Sequence, residues 1–242
     1  MRIALLGYGR MGRTIEELAL ERGHEISLRV GRHEAARLDQ TDFFGTDMSI
    51  EFSTPASAFS LISASLNAGI PVVSGTTGWL KSLPEIHDLT NRKDSAFFYA
   101  SNFSIGMNIL FQINKKLAAM MNGRPEYTVG MDEIHHIHKI DAPSGTAITL
   151  AEDIIHEIDR IESWKLNEGD TTKELVIRSS RVGEVPGTHM ISYTSEIDKI
   201  QISHEAFGRK GFALGAILAA EWLLGRQGIF GMEDLLSETH TS

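Results

Sequence analysis

The densest gathering of side chains able to move protons or hold anions is Glu133-Ile134-His135-His136-Ile137-His138-Lys139-Ile140-Asp141-Ala142-Pro143-Ser144-Gly145-Thr146-Ala147. Four titratable groups, His135, His136, His138 and Lys139, fall within five positions, an arrangement that is costly unless a ligand or an acid-base task offsets it. Three readings compete. A metal could use His136 and His138, which would share one face of an extended strand, but no nearby carboxylate completes a shell and the chain has no cysteine. A surface strand could run into a helix capped by Asp141 or Ser144, with Pro143 in its first turn. The third reading is a pocket for an anion undergoing reduction. Ser144, Gly145 and Thr146 would offer hydroxyls and N–H groups at a helix start to a carboxylate. Hydride transfer to an unsaturated carbon leaves electron density on the neighbouring atom, so a cationic acid nearby, His135 or Lys139, would lower the barrier.

A hydride donor has its own signature. Gly7-Tyr8-Gly9-Arg10-Met11-Gly12 fits G-x-G-x-x-G after an apolar run and at the mouth of a helical pattern. The first glycine permits a tight turn, the second a close approach to a pyrophosphate, and the third close packing of helix on strand. A bare glycine turn is the alternative. Where a second strand often ends in a carboxylate that binds ribose, this one ends Val30-Gly31-Arg32. Arg32 could pair with a 2′-phosphate, favouring NADPH over NADH, or be a solvated surface arginine. Gly75-Thr76-Thr77-Gly78 follows another strand-like run, where ligands approach open parallel sheets, although glycine and threonine also make ordinary loops.

The elements that must position these residues alternate over the first hundred positions. Strand-like runs at 3–6, 26–30, 49–53, 71–74 and 96–100 are separated mostly by helical segments, 11–22, 56–67 and 83–92. That rhythm predicts a parallel, doubly wound sheet. Beyond Asn102 come a long helix at 105–121, the segment 127–136 and a helix at 146–158. Strand-like stretches at 175–179, 189–194 and 197–204 lie close together with polar turns between them, which predicts antiparallel pairing in a second, α+β domain. An alanine- and leucine-rich helix at 212–224 should return to the first domain. The expected division is 1–102 with 208–242 for the dinucleotide, and 103–207 for substrate and oligomerisation.

Composition narrows the function further. A formal charge of −9 without a basic block argues against nucleic-acid binding. Zero cysteines exclude disulfides, thiolate metal sites and a cysteine nucleophile. The apolar run before Gly7 is too short for a signal sequence or a membrane span, so the expectation is a cytoplasmic protein without a membrane partner.

Taken together, Gly7 to Gly12, Gly75-Thr76-Thr77-Gly78, Ser101-Asn102-Phe103-Ser104-Ile105-Gly106-Met107-Asn108 and the segment from Glu133 to Ala147 resemble, in order and spacing, the 4-hydroxy-tetrahydrodipicolinate (dihydrodipicolinate) reductases. The resemblance runs over nearly the whole chain. It implies a Rossmann-type α/β domain joined to an α+β substrate domain. The implied activity is NADPH- or NADH-dependent reduction of 4-hydroxy-tetrahydrodipicolinate, by way of dihydrodipicolinate, to tetrahydrodipicolinate in the diaminopimelate route to lysine. It further implies His135 as general acid and Lys139 as second catalytic residue. His136, Ser144, Gly145 and Thr146 would lie around the substrate carboxylates. Cofactor contacts would come from Gly7 to Gly12, from Gly75, Thr76 and Thr77, and from Ala100, Ser101, Asn102 and Phe103. No metal is implied, and the assembly would be a homotetramer joined through the second domain's sheet. Ile137 stands where many members have arginine, and the stretch from Arg181 to His189 follows the family only loosely. Two other functions fit the same chain: a nicotinamide-sensing protein without turnover, or another amino- or imino-acid dehydrogenase on the same plan.

Overall fold

Wholly apolar runs that end at a glycine or a polar turn become strands covered on both faces. The structure, a computed structural model, describes residues 1–31 and 38–238. It divides into two compact units, Met1–Ile105 with Arg209–Ser242, and Gly106–Gly208. The first begins with β1 (Arg2–Leu6), α1 (Arg10–Glu21), β2 (Glu25–Val30), β3 (Met48–Glu51), α2 (Pro55–Asn67), β4 (Val72–Ser74), α3 (Leu83–Arg92) and β5 (Ala96–Tyr99).

The second unit contains α4 (Ile105–Asn122), which starts at the boundary, then β6 (Thr128–His135), α5 (Gly145–Glu157), β7 (Ser163–Leu166), β8 (Glu174–Arg181), β9 (Gly187–Thr194) and β10 (Lys199–Ala206). The chain then returns to the first unit with α6 (Lys210–Leu223), β11 (Gly228–Phe230) and α7 (Met232–Glu238).

The first sheet runs β11-β5-β4-β3-β1-β2, and every pairing in it is parallel. Alternate residues of each strand feed opposite cores. Ile3, Leu5, Ile50 and Phe98 pack with Ile15 and Ala19 of α1 and with Ala213, Ala216, Ile217 and Ala220 of α6. Ala4 and Leu6 face Leu61 of α2, while Val72 and Phe97 meet Ala58, Ile62 and Leu66 of α2 with Ile86 of α3. The small residues of α6 permit close approach: a Cβ on Gly215 would lie 1.8 Å from the Phe103 carbonyl oxygen. The strand order reverses between β1 and β3, with β2 beyond one and β4 beyond the other, which opens a crevice outside their carboxyl ends.

The second sheet runs β10-β9-β6-β8-β7. Of the antiparallel pairing expected among the three later strands, only β9 with β10 is found. β8 pairs parallel with β6 and with β7, and β6 is inserted between β8 and β9 in antiparallel register with β9. Sequence proximity misleads here because β6, from earlier in the chain, takes the central position between β8 and β9, so each of them pairs with β6 and not with the other. The sequence reading also missed β7, β11 and α7: β7 and β11 are short and only partly covered, so neither shows an apolar run. Val129 and Met131 of β6, Leu175 and Ile177 of β8, and Ile191 and Tyr193 of β9 pack against Met107, Leu110 and Met121 of α4 and Leu150 and Ile154 of α5.

Candidate active site

In the first unit the crevice at the strand-order reversal is lined by both glycine-rich turns. One hollow, about 560 Å³, is bounded by Gly7, Tyr8, Gly9, Val30, Gly31, Phe52, Ser53 and Thr54. An adjoining one is lined by Gly9, Arg10, Met11, Phe52, Ser53, Gly75, Thr76 and Thr77. The glycines are there for space. Gly7 has φ +109°, and a Cβ on it would sit 2.1 Å from the Phe52 carbonyl oxygen; one on Gly75 would lie 2.2 Å from the Phe52 ring. A Cβ on Gly12 would lie 2.3 Å from the Gly7 carbonyl oxygen. A Cβ on Gly9, by contrast, would meet no atom of the described residues within 4 Å, so that among them this glycine keeps open space at the mouth of α1.

The loops that flank the crevice are tied to one buried carboxylate that the sequence reading did not single out. Glu51, at the end of β3, accepts hydrogen bonds from the Ser74 hydroxyl at 2.7 Å, the Thr76 hydroxyl at 2.7 Å and the Ser53 N–H at 2.9 Å. Ala100, Ser101, Asn102 and Phe103 form the turn after β5; they are not among the residues that line these two hollows, but the Phe103 ring packs 5.6 Å from that of Phe52, which lines both, and the Ala100 N–H donates to the Ser74 carbonyl oxygen at 3.3 Å. Asn102 Oδ1 accepts from the Ser104 N–H at 2.9 Å. Arg32 lies outside the described residues.

In the second unit, strand periodicity and register assemble a polar tier. Along β6 the buried face carries Val129, Met131, Glu133 and His135, so the stripe is apolar for two positions and then turns polar. Register places His189 and Ser179 on either side of Glu133, with His204 beyond His189, and Arg181 beside His135. Glu133 is fully buried. Its carboxylate accepts from the Ser144 N–H at 3.1 and 3.2 Å and from the Ser179 hydroxyl at 2.6 Å, and the Arg181 guanidinium lies 3.6 Å away. His135 Nδ1 stands 3.6 Å and His189 Nε2 3.8 Å from Glu133 Oε2. The Ser144 hydroxyl links to His189 Nε2 at 3.1 Å and accepts the Ala147 N–H at 3.1 Å, which makes Ser144 the cap of α5.

The charge states follow from these contacts. Burial pushes Glu133 up, but hydrogen bonds from Ser144 and Ser179 and the proximity of His135 outweigh it and hold the carboxyl below its usual range. Burial lowers His135; Glu133 opposes that, while Lys139 and Arg181 add to it. His189 is pushed down to about 4, chiefly by burial and then by His135. Glu133, His135 and His189 offer ligand atoms within 4.8 Å of one another, a spacing a metal ion could bridge. The donor set argues for acid-base work instead, because Glu133 already accepts from Ser144 and Ser179 and faces a guanidinium, which repels a cation.

The remaining residues expected from the sequence are arranged less tightly. Lys139 is held by both carboxylate oxygens of Asp141, at 2.8 and 2.7 Å, and this contact keeps Asp141 below its usual range. Arg181 reaches the carbonyl oxygens of Lys139 and Asp141 at 3.1 and 2.6 Å, fastening the loop. Thr146 is half-buried and Gly145 exposed in the first turn of α5. His136 and His138 do not share a strand face, as the metal reading required, because β6 ends at His135 and both lie in the loop beyond it. His138 is exposed, 3.4 Å from Glu184. Pro143 stands before the cap rather than within the first turn of α5. Glu133, His189 and Arg181 are the site members sequence reasoning passed over. The alternation of Val129, Met131, Glu133 and His135, and of His189, Ile191 and Tyr193, was the signal available for the first two.

Comparison with known proteins agrees with this two-part construction. Residues 1–103 match the family model described as dihydrodipicolinate reductase, N-terminus, and residues 106–236 match dihydrodipicolinate reductase, C-terminus. A 4-hydroxy-tetrahydrodipicolinate reductase of Christiangramia forsetii is 49% identical, covering 98% of each chain, and one of Akkermansia muciniphila is 35% identical, covering 94% of each. Among solved structures, a dipicolinate-bound dihydrodipicolinate reductase from Paenisporosarcina sp. TG-14 shares the fold with a TM-score of 0.76 at 20% identity, covering 97% of this chain and 98% of that one. With both halves matched in order and a relative of this identity spanning almost all of it, the chain belongs to the dihydrodipicolinate reductase family.

Proposed function

We propose that the protein is a 4-hydroxy-tetrahydrodipicolinate reductase: it takes the cyclic dicarboxylate that forms when 4-hydroxy-tetrahydrodipicolinate loses water and reduces it to tetrahydrodipicolinate. The observation that carries this reading is the Gly106–Gly208 unit, where a buried, carboxylate-backed His135 stands beside the Ser144-Gly145-Thr146 helix start. The relatives' names supply the substrate. The first unit, Met1–Ile105 with Arg209–Ser242, serves as the cofactor domain and Gly106–Gly208 as the substrate domain, within a few residues of the division expected from the sequence. Bound NADPH or NADH would supply the hydride. The cradle suits it, since Gly7 and Gly75 let the two turns close on Phe52 and Gly12 lets α1 close on Gly7, while Gly9 leaves the helix start clear among the described residues.

His135 delivers the proton to the atom that gains electron density, with Lys139 supporting the developing charge, and Ser144, Gly145, Thr146 and His136 hold the substrate carboxylates. NADPH oxidation in the presence of 4-hydroxy-tetrahydrodipicolinate, generated by its synthase, tests the activity. Tight NADPH binding without turnover would instead favour a nicotinamide sensor.

The cofactor preference rests on Arg32. NADPH should serve at least as well as NADH, and Arg32→Ala should raise KM for NADPH selectively; equal effects on both cofactors, or none, would make that arginine a bystander. A homotetramer in the cytoplasm completes the proposal, and light scattering should give a mass about four times that of the chain. No described helix is long and apolar enough to cross a membrane.

The glycine cradle yields a paired prediction. Gly9→Ala should leave the melting temperature nearly unchanged yet weaken NADPH binding about tenfold or more, because its methyl group enters open space beside the crevice. Gly7→Ala should lose stability as well, since its methyl group would meet backbone. Fluorescence titration with NADPH and calorimetry separate the two; a Gly9→Ala variant that binds normally would place the pyrophosphate elsewhere.

A further inference from the structure

We infer that Glu133 is a positioning residue that couples the proton donor to the substrate-carboxylate turn: one buried carboxylate faces the Nδ1 edge of His135 and also accepts the Ser144 N–H that starts α5. The inference rests on the roles proposed above for His135 and Ser144. Its geometric basis is the tier across the second sheet, in which Ser179, Glu133 and His189 are register neighbours on three adjoining strands. Ser179 and the Ser144 N–H fix the carboxylate from two sides, at 2.6 Å and at 3.1 and 3.2 Å, so it cannot swing toward solvent.

His135 Nδ1, at 3.6 Å, is beyond ordinary hydrogen-bond reach and has no hydrogen-bond partner among the described residues. The carboxylate therefore acts on the ring as a nearby negative charge, and its influence is greatest on the imidazolium. With Nδ1 turned to Glu133, Nε2 is the nitrogen left to carry the transferable proton. It lies beside Gly187, where an added Cβ would approach to 3.2 Å, so a glycine at that position keeps the edge uncrowded.

The groups that face His135 come from every neighbouring element. Glu133 lies on its own strand, Arg181 on β8 and His189 on β9, with Lys139 and Asp141 in the loop that follows β6. Asp141, paired with Lys139, opposes burial only weakly, which leaves Glu133 as the larger of the two negative charges that offset Lys139, Arg181 and burial. Neutralising Glu133 should make the His135 imidazolium harder to form, and neutralising Arg181 should make it easier. A role confined to packing would not give opposite signs.

The test measures kcat/KM against pH, together with an NMR titration of the His135 ring that needs no substrate. Glu133→Gln should move both the His135 midpoint and the basic limb of the profile downward by about one pH unit or more. It should also raise KM for the dicarboxylate, while NADPH binding stays normal. Arg181→Met should move the midpoint upward, and it keeps the inference testable if Glu133→Gln does not fold. Midpoints that stay within a few tenths of a unit, or move the same way in both variants, would overturn the inference. If the ring titrates as expected but the wild-type protein does not oxidise NADPH with this substrate, the fault lies in the proposed reaction and not in the role of Glu133.

Discussion

His135→Ala is expected to lower kcat by roughly 10²- to 10⁴-fold, equivalent to about 3–5 kcal/mol of transition-state stabilisation, with NADPH binding intact. A proton donor interacts more strongly with the charge that develops during hydride transfer than with the ground state, so its loss appears in kcat. The residues proposed to hold the substrate carboxylates should behave differently. Thr146 lies in the first turn of α5, and the charge of a carboxylate bound there hardly changes during the reaction. Thr146→Val should therefore raise KM with a smaller effect on kcat. Lys139→Ala should affect both, because its ammonium can hold a carboxylate and stabilise developing charge. In the proposed role Lys139 would exchange the Asp141 carboxylate for that of the substrate, a swap of like partners. Steady-state kinetics of the three variants make the comparison. A folded His135→Ala protein with near-normal kcat would shift the proton to Lys139 or solvent.

The extent to which the sequence foretold these positions differs between the two units for a physical reason. In the first unit the central strands are buried on both faces, so Ile3-Ala4-Leu5-Leu6 and Ala96-Phe97-Phe98 read as apolar runs, and local glycines mark the turns between strand and helix. The crevice then follows from topology alone. In the second unit the site depends on register. Glu133 and His189 lie 56 positions apart in sequence, yet they face each other because β6 and β9 pair antiparallel with Glu133 opposite His189. Nothing in either strand specifies that pairing. Each strand does carry a polar residue on its core-facing stripe, after Met131 in one and before Ile191 in the other. A buried carboxylate among apolar neighbours needs partners, and that requirement is legible even where the partners are not. A cap at Asp141 or Ser144 was readable from the Asp-Ala-Pro-Ser-Gly-Thr run; that Ser144 takes it, and that its N–H bonds Glu133, was not.

Acid should destabilise the second unit before it titrates most carboxylates, and His189 is the reason. Its folded-state value of about 4 lies below the ordinary 6.5, so the unfolded chain takes up a proton that the folded chain refuses. The sign is then fixed. The stability this residue contributes is fully present above about pH 6.5 and is lost as pH falls toward about 4. The whole difference is on the order of 3 kcal/mol, of which about 2 kcal/mol should be gone by pH 5. The residue is 5% exposed and stands against Glu133, His135 and Ser144, so water cannot relieve the charge without opening the tier. His135 and His204, also lowered by burial, add to the loss in the same direction. Urea titrations at pH 7.5 and pH 5, followed through the amide NMR signals of β6 and β9, measure it. His189→Gln keeps an amide facing the Ser144 hydroxyl but cannot take up a proton, so it should be less stable than the wild type at pH 7.5 and lose about 2 kcal/mol less on acidification. An equal loss in both proteins would mean that His189 is already free to protonate in the folded state and that the tier admits water.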